Sequence, residues 1–116
     1  MIETETLFKM LADTTRLRSL LLMQSQGELC VCELTYTLEL SQPMISRHLA
    51  QLRDNKLVTA RREGQWMYYC INTKLPDWVI EILATTLSAN TKKSPIKDDL
   101  KRLKNMANRP DATCCN

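Results

Sequence analysis

The sequence predicts a mainly α-helical chain with one small β-hairpin, arranged as a winged helix-turn-helix that works as a homodimer. Three observations lead there. Apolar residues recur at helical spacing through residues 7–55 and again from 79. Between these stretches the pattern changes to two β-prone runs joined by Glu63-Gly64-Gln65, whose glycine suits a hairpin turn. A short helix, a tight connection and a longer helix stand directly before that hairpin, the order of a helix-turn-helix followed by its wing.

Each element has a local reason. Leu7, Met10 and Leu11 follow Thr4-Glu5-Thr6 and predict a short first helix. Asp13 is a good N-cap for a second, whose stripe is Leu17, Leu20, Leu21 and Met23 and whose end is Gln26-Gly27. Residues 29–38 predict a third helix with Val31, Leu34 and Leu38 inward. After the connection Glu39-Leu40-Ser41, Ser41 caps a fourth helix running to about Asn55. Pro43 fits its first turn, where the missing N–H is not needed, and Ile45, Leu49 and Leu52 form its buried stripe. Residues 57–62 and 66–71 are the wing strands. Pro76 opens a helix apolar on more than one face (Val79, Ile80, Ile82, Leu83, Leu87), which suits a core and a dimer partner together. Residues 95–107 read as a last amphipathic helix and 108–116 as a loose tail. Residues 1–90 are thus expected to carry DNA binding and dimerisation, and 91–116 a C-terminal helix and a flexible cysteine-bearing tail.

A chain of 116 residues fits one domain with one modest core. The acidic start Met1-Ile2-Glu3-Thr4-Glu5 does not resemble a targeting segment, and the longest apolar run, Leu20 to Met23, falls far short of the ~20 residues of a membrane span. A cytoplasmic protein with no membrane partner is expected. Five cysteines, an odd number, then argue for metal binding, redox sensing or burial rather than a disulfide framework. The net charge of +3 is uneven. Residues 41–75 hold six basic and two acidic groups, whereas residues 1–40 hold three and six. That focus fits double-stranded DNA as a partner.

The buried stripe of the fourth helix leaves Gln42, Ser46, Arg47, Ala50 and Gln51 outward or at the border. Arg and Gln can bond bidentately to guanine and adenine edges, and Ser reaches base or phosphate. Arg47 is the first candidate for base contact and Gln42 the second. His48, the single histidine, is expected on a backbone phosphate rather than on a metal. Arg61, Arg62 and Gln65 flank the wing turn and suit phosphates or the minor groove. Tyr69 is expected in the core. One reading helix covers few base pairs, so two half-sites read by a dimer are expected.

Glu28-Leu29-Cys30-Val31-Cys32-Glu33-Leu34, Ser41-Gln42-Pro43-Met44-Ile45-Ser46-Arg47-His48-Leu49 and Gly64-Gln65-Trp66-Met67-Tyr68-Tyr69 together resemble the ArsR/SmtB family, over about residues 7–87. Within it E-L-C-V-C is similar to the arsenic-responsive repressors. The resemblance implies a homodimeric repressor that sits on operator DNA and lets go when As(III) or Sb(III), the inducer, binds Cys30 and Cys32, with no organic cofactor. Soft thiolates select such ions, which favour three sulfurs in a pyramid. Residues i and i+2 of a regular helix diverge by about 200°. Convergence of Cys30 and Cys32 is therefore expected to need a distorted first turn, and the helix N-terminus is expected to lower the thiol pKa. Thr35 stands where such repressors often have a third cysteine. Water, or Cys114 and Cys115 from the tail, are the alternatives for the third ligand. Competing readings are a repressor of the same family sensing Cd, Pb or thiol oxidation, and a thiol enzyme. The last lacks a C-x-x-C, a phosphate-cradling loop or a histidine beside the thiols.

Overall fold

The computed structural model describes residues 2–106. Helices α1 (Thr4–Leu11) and α2 (Thr14–Gln26) are followed by a two-residue strand β1 (Leu29–Cys30), then α3 (Val31–Leu38) and α4 (Gln42–Asp54). The hairpin β2 (Val58–Glu63) and β3 (Trp66–Ile71) precedes α5 (Asp77–Asn90) and α6 (Ile96–Lys104). Helix α3, the turn through Glu39–Ser41 and α4 form the helix-turn-helix, and β2–β3 is its wing.

The caps are those the sequence predicts. The Asp13 carboxylate accepts the Arg16 backbone N–H at 3.0 Å, and Ser41 Oγ accepts that of Met44 at 3.4 Å, each satisfying a donor that the first helical turn leaves open. Helix α2 stops at Gly27, whose φ of +83° is open to glycine at little steric cost. At the wing tip Glu63 pairs with Trp66, so Gly64 (φ +62°) and Gln65 form a two-residue turn.

One core holds the elements together. It joins Leu7 and Met10 of α1, Leu20, Leu22 and Met23 of α2, Leu34 and Leu38 of α3 and Ile45, Leu49 and Leu52 of α4. Tyr69 of β3, Val79 and Leu83 of α5 and Leu103 of α6 complete it. Helix α6 thus shares the core. A charged clamp fixes it as well: Arg18 of α2 grips the fully buried Asp99 through two hydrogen bonds of 2.8 and 2.7 Å. Arg102 Nη1 donates to the Thr37 carbonyl of α3 at 2.6 Å and lies 3.6 Å from Asp99. Removing one partner of a buried pair leaves an uncompensated charge, which costs about 3–5 kcal/mol. Arg18→Ala is expected to lose stability on that scale, read as a lower urea midpoint with an unchanged slope.

The sheet differs from expectation by one strand. Leu29 and Cys30 do not begin α3. Their backbones are extended and pair antiparallel with Tyr69 and Tyr68, giving the order β1-β3-β2. The polar backbone groups of this buried segment find their partners on the wing, so extending the sheet competes successfully with lengthening the helix.

Candidate functional site

Cys30 is the N-cap of α3 rather than a residue within it, with φ −78° and ψ 151°. Its sulfur accepts the Cys32 backbone N–H at 3.4 Å and that of Glu33, and its own N–H donates to Glu33 Oε1 at 2.8 Å. The reciprocal pair is a capping box in which sulfur replaces the usual hydroxyl. The 200° divergence holds only for two residues inside one helix. Because Cys30 lies on the strand side of the joint, its sulfur and that of Cys32 converge to 3.1 Å with the helix intact. The expectation that the first turn must unwind is therefore corrected.

The expected pKa is corrected too. Burial pushes the Cys30 thiol up. The N–H groups of Cys32 and Glu33 pull it down, but burial, reinforced by the Glu33 charge, prevails.

The two sulfurs face a cavity of about 510 Å³. Val31, Thr35 and Tyr36 of α3 form one wall, Gln42 and Ser46 of α4 a second, and Gln65, Trp66, Met67 and Tyr69 of the wing a third. Three of the predicted DNA-reading residues thus border the same hollow as the sulfurs of Cys30 and Cys32. Thr35 lies there as a wall residue, its hydroxyl donating to the Val31 carbonyl at 2.8 Å. No helix among the described residues is long and apolar enough to cross a membrane.

Along α4, Ile45, Leu49 and Leu52 are fully buried and Gln42 and Arg47 are exposed. Arg47 makes no hydrogen bond or ion pair with another described residue, so its guanidinium is uncommitted. His48 differs from expectation. Its ring turns inward, Nδ1 lying 3.4 Å from Arg16 Nη1 and 3.9 Å from the Asp13 carboxylate. Arg16 Nη1 also donates to Gln51 Oε1 at 2.9 Å, and Arg16 Nε to the Met10 carbonyl at 3.0 Å. Burial alone would raise the Asp13 carboxyl, but the Arg16 N–H and the charges of His48 and Arg16 outweigh it and hold it below its ordinary value. This network ties α4 to the α1–α2 corner, and His48 and Gln51 serve it.

The model of the bacterial regulatory protein arsR family matches residues 13–60, which span Cys30 and Cys32, the turn and the reading helix. Over 99% of its length the chain is 54% identical to the whole of the arsenic resistance transcriptional regulator ArsR2 of Pseudomonas putida. The chain belongs to the arsR family. Its members are transcriptional regulators, not enzymes. The arsenical resistance operon repressor of Escherichia coli is 49% identical over 66% of this chain and 66% of its own. Among solved structures, HlyU of Vibrio cholerae superposes with a TM-score of 0.68 at 33% identity, covering 76% of this chain and 91% of its own. The AntR antimony-specific transcriptional repressor does so with 0.62 at 32% identity, covering 72% of each.

In this arsR-family chain the two wing arginines are not equivalent. Alternation puts Arg61 and Arg62 on opposite faces of β2. Arg61 is held by both oxygens of Glu28 at 2.7 Å and by Glu63 at 2.9 Å, and lies over the Tyr68 ring at 4.5 Å. Arg62 has no such partner among the described residues. Arg62→Ala is expected to lower the salt slope of DNA binding by about one per wing, and Arg61→Ala by clearly less. Anisotropy titrations between 50 and 300 mM salt, roughly the range over which phosphate contacts are read out, test the difference. Sequence reasoning missed Glu28, because its place beside the wing depends on β1. It also missed Tyr36 and Met67 as cavity walls, which no local pattern marks. Cys114 and Cys115 lie outside the described residues.

Proposed function

We propose that the chain is a cytoplasmic, metalloid-responsive repressor that binds operator DNA as a homodimer and is released when As(III) or Sb(III) binds Cys30 and Cys32. The observation that carries the reading is the shared hollow: the convergent sulfurs of Cys30 and Cys32 border the same cavity as Gln42 and Ser46 of the reading helix and Gln65 of the wing. An ion held there sits between the two elements that must enter the grooves together. The relatives named for arsenic resistance and the antimony-specific repressor support the choice of ion.

The donor set fits. Cys30 and Cys32 would supply two soft sulfur donors to a thiophilic ion. Their sulfurs lie 3.1 Å apart on the wall of the shared cavity. The ion supplies soft Lewis acidity for sulfur. The protein holds the pair together through the Cys30 cap and the β1–β3 pairing. Burial raises the Cys30 thiol, which works against the thiolate form that an ion would need.

In the DNA complex, Arg47 and Gln42 read base edges, Ser46 and Gln65 border them, and Arg62 meets phosphate. His48 and Gln51 position α4 through Arg16. DNA binding and dimerisation lie within residues 1–90, and residues 91–116 supply α6 and the cysteine-bearing tail. The dimer surface is the exposed apolar face of α1 and α5, where Phe8 is 51% and Trp78 37% exposed. Anisotropy with labelled operator DNA, titrated with arsenite, antimonite, cadmium, zinc and peroxide, tests the reading. Release by arsenite and antimonite at the lowest concentrations is expected; release by peroxide or cadmium alone would overturn the assignment of the inducer.

A further inference from the structure

We propose that α6 is a third DNA-contacting element, adding phosphate contacts through Lys101 and Lys104 to those made within residues 1–90. The surface it extends is that of α4 and the wing, so the proposal rests on reading those two as the elements that enter the grooves.

Charge marks the segment. Residues 91–106 hold six basic groups and two acidic ones, Asp98 and Asp99. That is the same excess as in residues 41–75, in fewer than half as many positions. Asp99 is fully buried and paired with Arg18, so it does not offset the surface charge. Asp98 accepts a hydrogen bond from Ser94 Oγ at 2.7 Å. Lys97, Lys101 and Lys104 recur at i, i+4 and i+7, which puts them in one stripe, and all three are exposed. None of the three makes a hydrogen bond or ion pair with another described residue. Like charges at this spacing repel one another along a helix, and a polyanion relieves that repulsion.

Placement selects DNA as the polyanion. Arg102 Nη1 donates to the Thr37 carbonyl at 2.6 Å, and Nη2 lies 3.7 Å from Glu39 Oε1. Glu39 stands two residues before Ser41, the cap of the reading helix, so α6 abuts the turn from which α4 starts. Arg102 also offsets the Glu39 carboxylate, whose charge would otherwise repel phosphates beside that turn. Farther along α3, Lys101, Arg102 and Asn105 border a hollow with Asp98 and Tyr36. Tyr36 is half-exposed and is also a wall of the cavity that Gln42, Ser46 and Gln65 border. One continuous surface thus runs from the reading helix across Tyr36 to Lys101. The duplex presents one negative charge per ~1.7 Å of its axis, so its backbone offers partners at both ends of such a surface. Lysine, a point charge on a flexible stem, suits phosphate without a fixed geometry. Contacts of this kind add affinity and salt dependence but carry no sequence information.

The test is the salt dependence of DNA binding, read by anisotropy on full-length protein with labelled operator and with a random duplex of equal length. Lys101→Gln/Lys104→Gln removes two lysines from each protomer. At about 0.9 of slope per phosphate contact, the dimer should lose about 2–4 from the slope of log K against log salt. Its discrimination between operator and random duplex and its urea midpoint should stay native. Lys92→Gln/Lys93→Gln removes the same charge at the opposite end of the segment, away from the hollow, and should change the slope by less than about one. An unchanged slope in Lys101→Gln/Lys104→Gln would overturn the proposal. Equal losses from the two pairs would overturn it as well, because they would report the field of the whole molecule and not a contact. A native protein with no preference for operator would instead overturn the reading of α4 and the wing on which the proposal rests.

Discussion

A Cys30→Ser/Cys32→Ser variant is expected to bind operator within about threefold of the native affinity, since changes that preserve fold and surface cost within about 0.5 kcal/mol, yet to stay bound when arsenite is added. The cap geometry makes the two effects separable. Serine is among the best N-cap residues, and a hydroxyl at position 30 can take the Cys32 and Glu33 N–H groups that the sulfur now accepts. The strand pairing of residue 30 with Tyr68 is made by backbone atoms and survives the change. Helix α3 should therefore keep its start and its angle to α4. What disappears is the soft donor pair, because hydroxyl oxygens bind trivalent arsenic poorly. Couplings between sites typically amount to about 1–3 kcal/mol, so arsenite should weaken native operator binding by about 5- to 150-fold and the variant by less than twofold. Anisotropy with and without arsenite reads both quantities. Equal release of the two proteins would place the effector elsewhere.

The second large effect is expected at Arg47. Its guanidinium is exposed on the face of α4 opposite Ile45, Leu49 and Leu52, and no described carboxylate competes for it. A bidentate contact to a guanine edge is worth about 1–3 kcal/mol, and a symmetric dimer makes it twice. Arg47→Ala should thus lose about 2–6 kcal/mol of specific binding, a fall of about 30-fold or more, while circular dichroism and urea stability stay near native. Arg47→Lys should restore salt-dependent affinity for any DNA but not discrimination, because an ammonium lacks the planar fork. Competition between operator and random duplex separates the two outcomes. An Arg47→Ala protein that still discriminated would shift base reading to Gln42 and the wing.

The helices and hairpin were legible because their signals are local. Asp13, Ser41 and Gly27 mark ends, and Ile45, Leu49 and Leu52 mark a face. Strand β1 was not, since two residues become a strand only through their partners Tyr68 and Tyr69, some 40 positions away. That single omission propagated. Placing Leu29 and Cys30 inside α3 made the two sulfurs look divergent, when the strand–helix joint brings them together. The thiol pKa erred for a related reason. The helix N-terminus can be read from sequence, but the depth of Cys30 beneath the wing cannot. His48 and Arg61 carry the residue types of phosphate ligands, and their capture by Arg16, Asp13, Glu28 and Glu63 depends on tertiary placement.

The β1–β3 ladder carries one more consequence. Its bonds run between main-chain atoms, so they are indifferent to which side chains stand at positions 30 and 32. Donor groups there can be exchanged for harder or bulkier ones while the hairpin stays moored to the same edge. The chemical vocabulary of the receptor and the address it recognises on the genome can therefore drift apart, each free to change without rewriting the other.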